Sequence, residues 1–115
     1  MNSPDVPHKN DLPAARALLM ATLVNYQDGS VVSRTILKRP TGTLTLFAFD
    51  EGQGLSEHTS PFDAMVQILE GESEITISGE AVKAKSGEVV LLPANQLHGL
   101  KATTKFKMLL TMIRS

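Results

Sequence analysis

Apolar residues recur along this chain in short runs rather than in long stretches. From Val31 onward, segments rich in Val, Ile, Leu, Thr and Phe are separated by Gly, Pro, Asn or Ser, at the intervals of an all-β sandwich or barrel. Nine strands are predicted: Val31–Leu37, Thr43–Phe49, Leu55–Thr59, Met65–Glu70, Glu74–Ser78, Ala81–Ala84, Val89–Leu92, His98–Ala102 and Phe106–Ile113. "SGE" at Ser78–Glu80 and "KSG" at Lys85–Gly87 supply the glycine that tight turns need at positive φ. "EITIS" alternates cleanly, with Ile75 and Ile77 on one face and Glu74, Thr76 and Ser78 on the other. "MVQILE", "VVLL" and "FKMLLTMI" are apolar on both faces, and a small barrel has one interior. Their second face must be covered by an N-terminal helix, another layer of sheet or a second subunit. A homodimer is the most economical cover, with full burial inside the monomer as the alternative.

Ahead of the strands the pattern is different. "MNSPDVPHKN" is polar, holds two prolines and shows no period, which predicts a flexible arm over residues 1–10 carrying a solvated His8. "DLPAARALLMATL" follows, with Asp11 as helix N-cap, Pro13 in the first turn and Leu12, Ala15, Leu19 and Leu23 forming one apolar stripe. A short helix over residues 11–24 is expected, closed by the turn "DGS" at Asp28–Ser30.

Composition narrows the functions. At 115 residues, 42% hydrophobic and 20% charged, the chain suits one globular domain. Eleven basic residues against twelve acidic give a net charge of -1, with no basic stripe to neutralise phosphates, so nucleic acid is not an expected partner. The absence of cysteine leaves oxygen and nitrogen as the metal donors available. "ALLMATLV" is far short of the roughly 20 residues needed to span a bilayer, and the N-terminus lacks the features of a signal peptide. No membrane association and a cytoplasmic location are therefore expected. No Ser-His-Asp arrangement, carboxylate pair or phosphate-binding glycine loop is visible.

Two glycine-bounded segments carry a family resemblance. "GLSEHTSPFDAMVQILEG" (Gly54–Gly71) and "GEVVLLPANQLHGLKA" (Gly87–Ala102) resemble the two conserved-barrel motifs of the cupin family. Those motifs read H-x-H with a downstream Glu before a closing Gly, then G-x5-P-x-G-x2-H. In the second segment Gly87, Pro93 and His98 keep the spacing, while Asn95 stands in place of a glycine. Asn tolerates the left-handed conformation better than other non-glycine residues. The likeness runs from Thr43 to Ile113 and implies a cupin-type double-stranded β-helix, a jelly-roll barrel, over residues 11–115 with the short N-terminal helix included.

In metal-binding cupins two histidines of H-x-H, the Glu and the histidine of the second motif converge on one ion. The matching positions here are His58, Ser60, Ala64 and His98. The resemblance therefore implies His58 and His98 as ligands of one weakly held divalent metal (Ni, Zn, Fe or Mn), with waters completing its shell. Asp63, Glu57 and Gln67 have the wrong strand parity to replace the missing groups. Ser60 is a candidate hydrogen-bonding contact for a small polar ligand, or else a turn serine facing solvent. Phe47, Phe49, Phe106 and Met108 are candidate lining residues, with plain core packing as the alternative. The expected function is a barrel that binds a small molecule, a loosely held divalent metal, or both. A metal-dependent dioxygenase or isomerase, and a structural or regulatory dimer with a vestigial pocket, are the alternatives.

Overall fold

A computed structural model describes residues 10–114, so the arm predicted over residues 1–10, His8 included, falls outside the described residues but for Asn10. Nine strands follow in chain order: β1 (Val31–Arg39), β2 (Gly42–Phe49), β3 (Gly54–His58), β4 (Asp63–Glu70), β5 (Glu72–Ile77), β6 (Glu80–Lys85), β7 (Val89–Leu92), β8 (His98–Ala102) and β9 (Phe106–Ile113). They match the nine runs read from the pattern to within a few residues. They form two sheets, ordered β1-β2-β9-β4-β7 and β3-β8-β5-β6, with every pairing antiparallel. Apart from the β1–β2 and β5–β6 hairpins, neighbours in each sheet are distant in sequence, as expected when a jelly roll winds a chain between two layers.

The two sheets close over one apolar interior. Phe49, Val66, Ile68, Leu92, Phe106 and Met108 come from the larger sheet, and Ile75, Ala84, Leu100 and Ala102 from the smaller. The predicted alternation of "EITIS" holds: Ile75 lies in the interior and Glu74 pairs with Lys83 and Lys101 across neighbouring strands. Ser78 and Gly79 both take positive φ in the β5–β6 turn, where strand twist favours that conformation. Gly71, also at positive φ, joins β4 to β5 so closely to the Phe106 backbone that a Cβ there would collide with it.

The helix expected over residues 11–24 does not form. The segment instead runs irregularly across the outer face of the larger sheet, with a single 3-10 turn at Met20–Thr22. Three local facts account for this. Pro13 disfavours helical geometry at Leu12, and the Leu12 amide donates to the Ile36 carbonyl of β1 at 3.0 Å. The Asp11 carboxylate meets the Arg39 guanidinium through two contacts, at 2.8 and 3.2 Å, instead of capping a helix. Ala15 sits at φ 59, a left-handed conformation that interrupts any helical run. The apolar stripe is split accordingly: Leu12 and Leu23 pack inward while Leu19 is 77% exposed.

The outer face is nonetheless covered in part. Val24, Ile36, Leu46, Ala48 and Leu109 form a second core there, with Met20, Leu23 and Tyr26 packed against it. Lys107 fastens this cover. Only 8% exposed, it donates to the Ala21 carbonyl at 2.6 Å, lies 3.5 Å from Glu70 and sits 4.9 Å from the centre of the Tyr26 ring. Glu70 in turn accepts from the Tyr26 hydroxyl at 2.7 Å. Burial and the adjacent carboxylate both raise the Tyr26 phenol above its usual range, so it remains a donor.

Replacing Lys107 with Ala removes the ammonium from the Ala21 carbonyl, Glu70 and the Tyr26 ring together. The expected loss is about 1–3 kcal/mol of unfolding free energy, seen as a lower urea midpoint at unchanged slope. Amide exchange at Leu12 and Leu23 should accelerate before that of Ile75; equal acceleration everywhere would show that Lys107 does not act on the N-terminal cover.

Candidate functional site

Strand alternation decides what reaches the interior at the open end of the barrel. On β9, Phe106, Met108, Leu110 and Met112 share the inner face, and Met112 pairs with Ala64 of β4 and Thr43 of β2. On β8, His98 and Leu100 share the inner face of the opposite sheet, opposite Ile77 and Ile75 of β5. Leu55 of β3 pairs with Leu100, and a regular strand would then turn His58, three residues on, away from the interior. The register shift between Leu55 and His58 corrects this and sets His58 directly opposite His98.

The two imidazoles consequently meet. Their ring centres are 4.5 Å apart at an angle of 70°, edge to face. His58, Ser60, Ala64 and His98, the four positions singled out by the family resemblance, line one cavity of about 50 Å3 together with Leu92, Met108, Leu110 and Met112. His98 is only 6% exposed, whereas His58 is open to solvent, so the pair spans the cavity from depth to rim. Ser60 is half-buried and its Oγ accepts the Phe62 amide at 3.2 Å, as a turn serine does, while the residue also lines the cavity.

Both rings are fixed in the same tautomer. His58 Nδ1 lies 2.7 Å from the Ser56 carbonyl and His98 Nδ1 lies 3.1 Å from the Gln96 carbonyl. A carbonyl oxygen can only accept, so each neutral ring carries its hydrogen on Nδ1 and keeps a lone pair on Nε2. The loops that hold the rings are joined to each other. The Asn95 amide donates to the Ser60 carbonyl at 2.7 Å, and the Ala94 amide to Asp63 Oδ1 at 2.9 Å. Asn95 adopts φ 65, the left-handed conformation expected where the family motif has glycine. Asp63, as its parity required, serves this loop and faces away from the cavity, and Glu57 is likewise exposed.

Of the candidate lining residues, Met108 lies in the cavity wall and Phe47, Phe49 and Phe106 do not. Phe49 and Phe106 are fully buried and stacked at 4.4 Å, with Phe47 5.8 Å from Phe49; they fill the closed end of the barrel. Leu92 and Leu110 were not singled out in the sequence. The signal for Leu110 was the alternation that starts from Met108.

The donor set does not suit a resident divalent metal. Among the described residues no group of three or more His, Cys, Asp or Glu is placed to hold one. Ala64 puts a methyl group where a carboxylate would offset the charge, and the Ser60 hydroxyl is a weak neutral donor. The cavity is otherwise apolar. Burial, followed by the proximity of His58, holds the His98 pKa below the usual histidine value.

That depression has a defined sign. An unfolded chain takes up the His98 proton near pH 6.5, whereas the folded chain resists it until lower pH. Between those two values the unfolded state binds more protons, so stability should fall as the pH falls and level off below the folded pKa. In His98→Gln that part of the pH dependence should vanish. Following the His98 Hε1 signal by NMR would check the direction; a midpoint above that of a free histidine would contradict it.

Comparison with known proteins places the fold. Residues 45–114 match the cupin domain family. A conserved protein of unknown function from Streptococcus pyogenes is 34% identical over 96% of this chain and 97% of its own, with a TM-score of 0.90. A cupin superfamily protein from Desulfitobacterium hafniense is 28% identical over 96% of this chain and all of its own, with a TM-score of 0.87. A cupin 2 conserved barrel domain protein from Leptotrichia buccalis is 37% identical over 82% of this chain but 46% of its own, with a TM-score of 0.79. No curated protein matches. With its two interleaved sheets, its paired barrel motifs and a family match over most of its length, the chain belongs to the cupin family.

Proposed function

We propose that this cupin barrel binds a small molecule in the cavity between His58 and His98, and that a resident metal is not what holds the site together. The supporting observation is the pair of Nε2 lone pairs, both fixed by their Nδ1 hydrogen bonds, at the polar side of an otherwise apolar cavity lacking a carboxylate. Such a site favours a ligand with a hydrogen-bond donor for the imidazoles and an apolar body for Met108, Leu110 and Met112. A volume of about 50 Å3 limits the buried part to a few heavy atoms. A divalent ion would be a weaker occupant, with two imidazoles and solvent as its shell. The dioxygenase or isomerase alternative needs a fuller set of ligands than these positions supply.

The partner on the uncovered outer face is a second copy of the chain. Met65 of β4 pairs with Leu91 of β7 beyond the N-terminal cover, and Ile113 of β9 lies diagonal to Met65 on the same face; Leu91 and Ile113 are both 61% exposed. Covering this strip with the same strip of another subunit buries apolar surface that the monomer leaves exposed.

Three experiments test these readings. Protein purified without a histidine tag should contain substoichiometric transition metal by elemental analysis. The double variant Ser60→His with Ala64→Glu, which restores the family's four ligand types, should tighten Zn2+ binding about a hundredfold or more in calorimetry. Stoichiometric metal in the parent chain, lost in His58→Ala, would reverse the proposal. For the dimer, light scattering should give twice the chain mass for the parent and the single mass for Leu91→Asp; a monomeric parent at micromolar concentration would refute it.

A further inference from the structure

Arg114 is a cation whose surroundings leave part of it without a partner. Its Nε is buried and has no hydrogen-bond partner, while its guanidinium lies 5.2 Å from the centre of the Phe62 ring. Among the described residues no carboxylate forms an ion pair with it, in contrast to Arg39 with Asp11 and Lys107 with Glu70. A buried donor of a charged group left unsatisfied carries a desolvation cost, so its retention asks for an acceptor.

Its position says where that acceptor would come from. Asp63 pairs with Ile113 and Ala64 with Met112, so the next step of the β4–β9 ladder sets Phe62 opposite Arg114, on the face of Ala64 and Met112. The Arg114 amide donates to the Thr41 carbonyl at 2.8 Å, which continues the β2–β9 ladder and fixes the backbone there. Met112 and Ala64 both line the His58–His98 cavity. Arg114 is therefore one step, about 7 Å along the strand, beyond the cavity wall. Phe62 holds its guanidinium by cation–π stacking, and Ser60, which lines the cavity, receives the Phe62 amide. The carboxylate nearest in the pairing, Asp63, faces outward and accepts from the Ala94 amide.

We propose that Arg114 anchors the acid group of the ligand at the cavity mouth, so that the site takes a short carboxylate whose far end donates to the histidine pair. This deepens the small-molecule reading and rests on it. A planar guanidinium suits a carboxylate through paired hydrogen bonds. The methyl group of Ala64, where metal-binding relatives of the motif have an acid, leaves the cavity without a negative charge to repel such a ligand. An acid group for Arg114 and a hydroxyl donor for the histidine pair, carried on one short chain, make a short hydroxy acid the best-matched class.

Two probes of equal length separate the anchor from the cavity: 4-hydroxybutyrate, and butane-1,4-diol, which lacks the acid. Titrating each into the full chain while following the His58 and His98 Hε1 signals should show the acid binding about tenfold or more tighter than the diol. Arg114→Gln should remove that preference without weakening the diol, and Arg114→Lys should retain part of it. An unchanged amide spectrum would confirm that the variants fold. Equal affinities in the parent chain, with the histidine signals responding, overturn the anchor and leave the cavity reading standing. So does a preference that survives in Arg114→Gln. Histidine signals that respond to neither probe at millimolar concentration overturn both.

Discussion

Strand β9 lies between β2 on one side and β4 on the other, and both its faces are buried over its first half, Phe106 to Leu109. This position makes its alternation a constraint on the entire molecule. Even-numbered residues from Phe106 to Met112 fill the interior and the cavity, while Lys107 and Leu109 receive the N-terminal cover. A slip of one residue would exchange the two sets, placing an ammonium in the barrel and a phenylalanine beneath the cover. The same register aligns Met112 with Ala64 and thus fixes one wall of the site.

The strands were legible because their signals are local: β-branched runs, glycine at positive φ and, in "EITIS", a strict period of two. Asn95 was legible for the same reason, since a turn after proline needs a residue that accepts positive φ. The pairing of His58 with His98 could be inferred only through the family resemblance, because forty positions separate them and a register shift, invisible in composition, turns His58 inward. The N-terminal segment was misread for the opposite reason. Asp11, Pro13 and a spaced row of leucines make a good helix start in isolation, but Asp11 finds Arg39 and Leu12 finds Ile36 only in the folded chain. Phe47, Phe49 and Phe106 show a similar limit: type marks them as interior, and the register along β2 and β9 decides which end of the interior they fill.

The site itself is a study in what remains when charge is withdrawn from a barrel. With Ala64 and Ser60 in the positions of an acid and an imidazole, the two remaining histidines keep their orientation through backbone carbonyls. On the reading proposed above, two imidazoles in an apolar wall select shape and hydrogen-bond donors, where a metal centre would select ligand basicity. Two side chains then mark the difference between coordination chemistry and ordinary molecular recognition on one scaffold.

The loops around the cavity are stitched together by the Asn95 amide on the Ser60 carbonyl and the Ala94 amide on Asp63. Parting them would break both bonds at once, so the softer route inward runs past β3, which is five residues long and lies at the margin of its sheet. Traffic would then pass His58 before reaching His98, making the outer ring a threshold and the inner ring a destination. Exchange rates at the site should accordingly follow the breathing of that marginal strand rather than the stiffness of the barrel as a whole.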